Sequence, residues 1–149
     1  MARNAIVIDA RPSDVFEVLA DAHSFGFWVV GSKEVRGHDR QWPRRGSKFR
    51  HTVGVGPLQL KDDSEVLEVR RDRRLVLEAR VRPFGTATVE LDLRAVRRGK
   101  KTKVTMTESA RAGPMKRAWN PLLDVAMKVR NVIALRRLKR LAEARAGAT

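Results

Sequence analysis

Three polar residues stand where the surrounding pattern calls for hydrophobic ones, and they are the groups best placed to do chemistry. His51 falls between Phe49 and Val53 in a stretch of period two, Glu108 continues the set Val104 and Met106, and Asn131 interrupts an apolar helical stripe. Burying such a group without a partner costs on the order of several kcal/mol, so each must pair with protein, water or ligand. An imidazole can accept a proton near neutral pH, and a carboxyl group can donate one or orient the base. His51 as base and Glu108 as proton donor or orienter are therefore the catalytic candidates, with Asn131 a further polar anchor. The alternative, in which all three are satisfied structural groups near the ends of their elements, stays open.

Other chemistries are excluded. The chain has no cysteine, which removes thiol catalysis, disulfides and Cys-ligated zinc. His23, His38 and His51 lie 15 and 13 positions apart with no carboxylate cluster beside them, so no metal site is expected. No glycine-rich phosphate loop occurs, and no cofactor is expected.

The elements that must position these residues follow from periodicity and punctuation. Residues 3–9 read as a strand. Pro12 opens a helix whose buried face is Val15, Phe16, Val18 and Leu19, and a second short helix or turn spans 22–27. A weaker strand at 34–39 precedes five stronger ones at 47–54, 58–69, 74–82, 86–96 and 102–110, joined by short turns that predict sequential hairpins. Asn120 as N-cap, Pro121 at the first helical position and Gly147 just past the end mark a last helix. From Pro121 to Ala144 it would span about 36 Å and must lie across the sheet. Its buried face is expected to combine the stripe Leu122, Val125, Val129, Val132 with Met127, Asn131, Leu135, Leu138, Ala142.

Alternation also assigns the sheet faces. Leu75, Leu77, Ala79 and Val81 share one face with Ala87, Val89, Leu91 and Leu93. Glu78, Arg80, Arg82, Glu90, Asp92 and Arg94 share the other, where cross-strand ion pairs are expected rather than acid/base catalysis.

The stretch Ile8 to Asp21 (IDARPSDVFEVLAD), Trp28, Trp42-Pro43 before Gly46-Ser47, the strand Val104-Thr-Met-Thr-Glu108, and Arg130-Asn131 with Leu138 resemble the START-like (SRPBCC) superfamily in its polyketide cyclase/dehydrase-like branch. The resemblance covers nearly the whole chain. It implies one α+β domain over residues 1–149 with the helix-grip fold: a curved antiparallel sheet wrapped around a long C-terminal helix, with two short helices near the N-terminus. It further implies an apolar cavity between sheet and helix, entered near Trp28, Gly54 to Pro57 and Pro83 to Gly85. The ligand-binding candidates are then Trp28, Phe49, His51, Val53, Leu77, Ala79, Val89, Leu91, Met106, Glu108, Met127 and Asn131, and Trp119 could cover one mouth. Each aromatic is equally explained as ordinary core packing.

Composition narrows the partners. Lys and Arg total 32 against 17 acidic residues, a formal net charge of +15 that would attract anions. Arginine outnumbers lysine 23 to 9 and is scattered over every element, as a compositional bias would produce. Tyrosine is absent and no nucleic-acid motif accompanies the charge, so nucleic acid is not the expected partner. The apolar runs are too short for a membrane-spanning helix or a signal peptide, which predicts a cytoplasmic protein. Three functions remain: binding or transport of a small hydrophobic or amphipathic ligand, a cyclase, aromatase or hydratase activity in the same cavity, and contact of the basic closing helix with an anionic membrane surface. Oligomeric state is not encoded in any legible pattern.

Overall fold

Stretches of period two separated by tight turns pair with their neighbours in sequence, because each strand can cover its apolar face only beside the next one. A computed structural model describes residues 1–30, 32–55, 57–81 and 85–148, with no side-chain detail for 33, 34, 53–55, 58–62, 81, 115 and 148. Seven strands run β1 (Ala2–Ile8), β2 (Ser32–His38), β3 (Lys48–Val55), β4 (Leu58–Arg70), β5 (Arg74–Val81), β6 (Gly85–Val96) and β7 (Lys101–Ala112). They form one antiparallel sheet in the order β1-β7-β6-β5-β4-β3-β2. Only β1 leaves chain order, closing the sheet against β7. Register shifts in the β2–β3, β4–β5 and β6–β7 pairs add local twist and bend the sheet.

Between β1 and β2 lie α1 (Pro12–Ala20), a 3-10 turn (Ala22–Ser24) and α2 (Phe25–Trp28); after β7 come α3 (Pro114–Ala118) and α4 (Pro121–Ala148). This is the expected helix-grip architecture. α1 buries Val15, Phe16, Val18 and Leu19 as the spacing required. Asn120 caps α4, its side-chain oxygen accepting from the Leu123 N–H at 2.9 Å. Gly113, at φ +83°, turns the chain into α3, a helix the sequence pattern did not reveal.

Two expectations about α4 are corrected. Gly147 lies inside the helix rather than past its end. Its backbone faces open space on the Cβ side, and Leu138, Ala142 and Ala146 carry the last turns against the core. More consequentially, the stripe Leu122, Val125, Val129 and Val132 is not buried: those side chains are 80%, 58%, 56% and 36% exposed. The inward stripe is Asn131, Ala134, Leu135, Leu138 and Ala142, against β1, α1 and α2. In the first turns the inward side belongs to Asp124, Met127 and Asn131, with Asp124 meeting the N-terminal amine beside β1 and the Trp119 indole.

The outer sheet face carries the expected ion pairs. Arg74 bonds Glu68 at 2.5 Å, Asp92 at 2.6 Å and Glu90 at 3.2 Å, bridging three strands. The Asp92 hydrogen bond chiefly holds the Arg74 guanidinium still further into its charged form, against an opposing effect of burial. Arg80 lies 3.7 to 3.9 Å from Asp63, Glu65 and Glu78. Half-exposed pairs of this kind fix register more than they stabilise.

Candidate functional site

Glu108 points inward from β7, where its register partners are Ala2 on β1 and Val89 on β6, neither of which can meet a carboxylate. The partner comes from α4 instead. Arg130 Nη1 donates to both carboxylate oxygens, at 3.2 and 3.4 Å, and its Nε donates to the Val30 carbonyl at 3.1 Å. One guanidinium thus ties β7, α4 and the segment after α2 together. The Glu108 side chain is 8% exposed and that of Arg130 33%.

One residue further along α4, Asn131 is fully buried. Neither its amide nitrogen nor its amide oxygen has a hydrogen-bond partner, and the same holds for Trp28 Nε1, Ser32 Oγ and Asn4 Oδ1. Asn4 lies opposite Met106 in the β1–β7 pair, and its Nδ2 donates to the Lys128 carbonyl at 3.2 Å. A buried polar group left unpaired costs about 1–3 kcal/mol, so these atoms of α2, β1, β2 and α4 need water or a ligand as partner.

At the other side of the sheet, His51 Nε2 lies 3.3 Å from Ser64 Oγ, a neighbour that β3–β4 pairing brings in beside it. The imidazole packs against Phe49, at 5.2 Å between ring centroids. Phe49 in turn sits 4.8 Å from Phe25 and 4.9 Å from Trp42, and Phe25 lies 4.9 Å from Trp28. The Trp42 indole N–H donates to the Leu19 carbonyl at 3.2 Å, fastening the cluster to the end of α1. Phe49 and Trp28 are therefore members of an aromatic core cluster.

His51 and Glu108 are not brought together. Three strands separate β3 from β7, a span of about 19 Å along the sheet at ~4.8 Å per strand. Leu77, Leu91 and Met106 are buried on the inner face, while Ala79, Val89 and Met127 are partly exposed. The Val53 side chain lies outside the described residues, as do Gly56 and residues 82–84 of the expected entrance. Trp119 donates its indole N–H to Asp124 Oδ1 at 3.2 Å. That bond is the main cause holding the Asp124 carboxyl below its usual range, with burial opposing and the N-terminal amine and Lys128 assisting.

Sequence reasoning missed Arg130 as the Glu108 partner, and missed Ser64, Ser32 and Asn4. Ser64 carried a signal, since it alternates with Val66 on an inward register. Arg130 was named with Asn131 in the resemblance, but nothing in its arginine-rich helix marked it as the partner of Glu108. A separate cleft of about 450 Å³ at the start of α1, lined by Asp9, Arg11, Ser13, Asp14 and Lys100, is polar and mixed in charge and contains none of these groups.

Residues 2–143 match the family described as polyketide cyclase / dehydrase and lipid transport. No curated protein matches the chain. Among solved structures, the Zhui aromatase/cyclase from Streptomyces sp. R1128 superposes with a TM-score of 0.73 at 17% identity, over 97% of this chain and 93% of its own. A protein from Chromobacterium violaceum gives a TM-score of 0.71 at 16% identity, over 95% of this chain and 96% of its own. DynU16, from the dynemicin biosynthetic locus, gives a TM-score of 0.70 at 19% identity; 95% of this chain covers 46% of that one. At these identities the likeness is one of fold.

Proposed function

Because the chain belongs to the polyketide cyclase / dehydrase and lipid transport family, we propose that it holds a small hydrophobic or amphipathic molecule between the inner face of the sheet and α4. The observation that carries this reading is Asn131, fully buried with both amide atoms unpartnered. Its amide offers donors and an acceptor in one plane, and Trp28 Nε1 adds a donor. Leu77, Leu91 and Met106 supply apolar walls. Few oriented polar groups within apolar walls suit a ligand with a largely apolar body and a carbonyl or hydroxyl group.

The test is Asn131→Leu, which keeps the branched heavy-atom shape of the side chain and removes the polar atoms. Unfolding in urea is expected to show a protein about 1 kcal/mol more stable than the parent, since an unpaired buried amide is gone. Titration with the fluorescent fatty acid cis-parinaric acid is expected to show affinity lowered about tenfold, the value of one lost hydrogen bond of about 1.4 kcal/mol. Unchanged affinity in a folded variant would remove Asn131 from the binding site.

A second reading, favoured by one observation, is a cyclase, aromatase or hydratase reaction in the same space. His51 is buried beside Ser64 on the inner sheet face, where an imidazole held by a hydroxyl group can transfer protons to and from a folded reactive chain. Glu108, held as a carboxylate by Arg130, would orient the substrate at the other end. His51→Ala and Glu108→Ala should then lose turnover of a polyketide-like substrate while the His51 variant keeps its cis-parinaric acid affinity. Unaltered turnover in both variants would dismiss this assignment.

A further inference from the structure

The first turns of α4 present an apolar face to solvent. Leu122, Val125, Ala126, Val129, Val132 and Ile133 follow the three- and four-residue spacing of one helix side, and all six are exposed. At about 1.5 Å per residue the strip is roughly 18 Å long, more contiguous apolar surface than isolated exposed side chains provide. Its ends are cationic. Lys116 and Arg117 on α3 precede it, and Arg136, Arg137 and Arg140 take over the outward positions of α4 after Ile133; all five are exposed.

We infer that this face docks on an anionic lipid surface, with α4 lying in the interface plane. The charge pattern selects the occupant. The two carboxylates of α4 are already engaged, Asp124 with Trp119 and Lys128, and Glu143 with Lys139 at 2.6 Å. A second copy of the chain laid along the same strip, parallel or antiparallel, would set cationic end against cationic end. A bilayer with anionic headgroups offers an apolar layer for the strip and negative charge at both ends, and long arginine side chains can reach that charge while the helix backbone sits lower. Among the described residues no helix is long and apolar enough to cross a membrane, so the contact is one of lying on the surface.

Flotation of the full chain with phosphatidylcholine vesicles, with and without phosphatidylglycerol, tests this. The protein should float with the anionic vesicles and not with the neutral ones. Leu122→Ser/Val129→Ser, both at exposed positions, should lower partitioning about tenfold at unchanged net charge, with circular dichroism and thermal midpoint as in the parent. Arg136→Gln/Arg137→Gln should weaken binding to a similar degree and leave the apolar strip intact. Failure to float with either vesicle would overturn the proposal. So would equal flotation of the serine variant, which would assign binding to the overall positive charge alone. A concentration-dependent dimer that the serine variant dissociates, without vesicle binding, would also overturn it and make the strip a self-interface.

Discussion

Phe49→Ala is expected to destabilise the protein by about 3–5 kcal/mol, the range for truncating a buried phenylalanine. Phe49 is 4% exposed and its ring touches Phe25, Trp42 and His51, so its loss opens a gap shared by β3, α2 and the segment preceding β3. None of those rings can collapse freely into the space. Trp42 is held by its bond to the Leu19 carbonyl, and Phe25 by contact with Trp28. Phe49→Leu, which retains much of the volume, should cost less than half as much. Urea unfolding checks both. A loss below ~1 kcal/mol for the alanine variant would mean that Phe49 faces a space already open beside it, and would return it to the ligand wall.

Arg130→Met is expected to cost about 3 kcal/mol, toward the lower end of the values for breaking a buried pair, because the guanidinium is itself a third exposed. The cost arises at Glu108, which is left as a carboxylate facing Ala2 and Val89. Removing both charges in Arg130→Met/Glu108→Leu should therefore recover most of the loss. The bond from Arg130 to the Val30 carbonyl is lost in both proteins and accounts for the remainder. A double variant as unstable as the single one would show that Arg130 stabilises through packing and not through its charge.

The strands were legible because alternation is a local signal: Leu75, Leu77, Val89, Leu91, Val104 and Met106 declare a buried face whatever lies opposite, and the paired charges around Arg74 declare the other. α1 and the start of α4 were legible from proline, the Asn120 cap and i, i+3, i+4 spacing. The orientation of α4 was not. Its first turns carry apolar residues on the solvent side and Asp124, Met127 and Asn131 on the inner side, an inversion of the usual arrangement that spacing alone assigns the wrong way round. The inversion follows from partners outside the helix's own pattern, namely the N-terminal amine of Met1 and the Trp119 indole for Asp124, and the Val30 carbonyl and Glu108 for Arg130. For the same reason Asn131 and Glu108 stood out as polar groups on apolar patterns, while Arg130 did not. A guanidinium in a helix rich in arginine has no local mark that separates the one turned inward from those in solvent. His51 was visible, but its separation from Glu108 depends on strand order across the sheet, which hairpin signals give only once β1 is known to pair with β7.

In the function proposed above, the unpartnered polar atoms of Asn131 and Trp28 meet a ligand held within apolar walls. Native mass spectrometry of the protein purified from its own source, followed by denaturing extraction of whatever it releases, tests this most directly. The expected result is a stoichiometric small molecule that is largely apolar, carries at least one carbonyl or hydroxyl group, and is depleted in Asn131→Leu protein prepared in the same way. A protein that carries nothing, and that takes up neither cis-parinaric acid nor an extract of its own lipids, would contradict it.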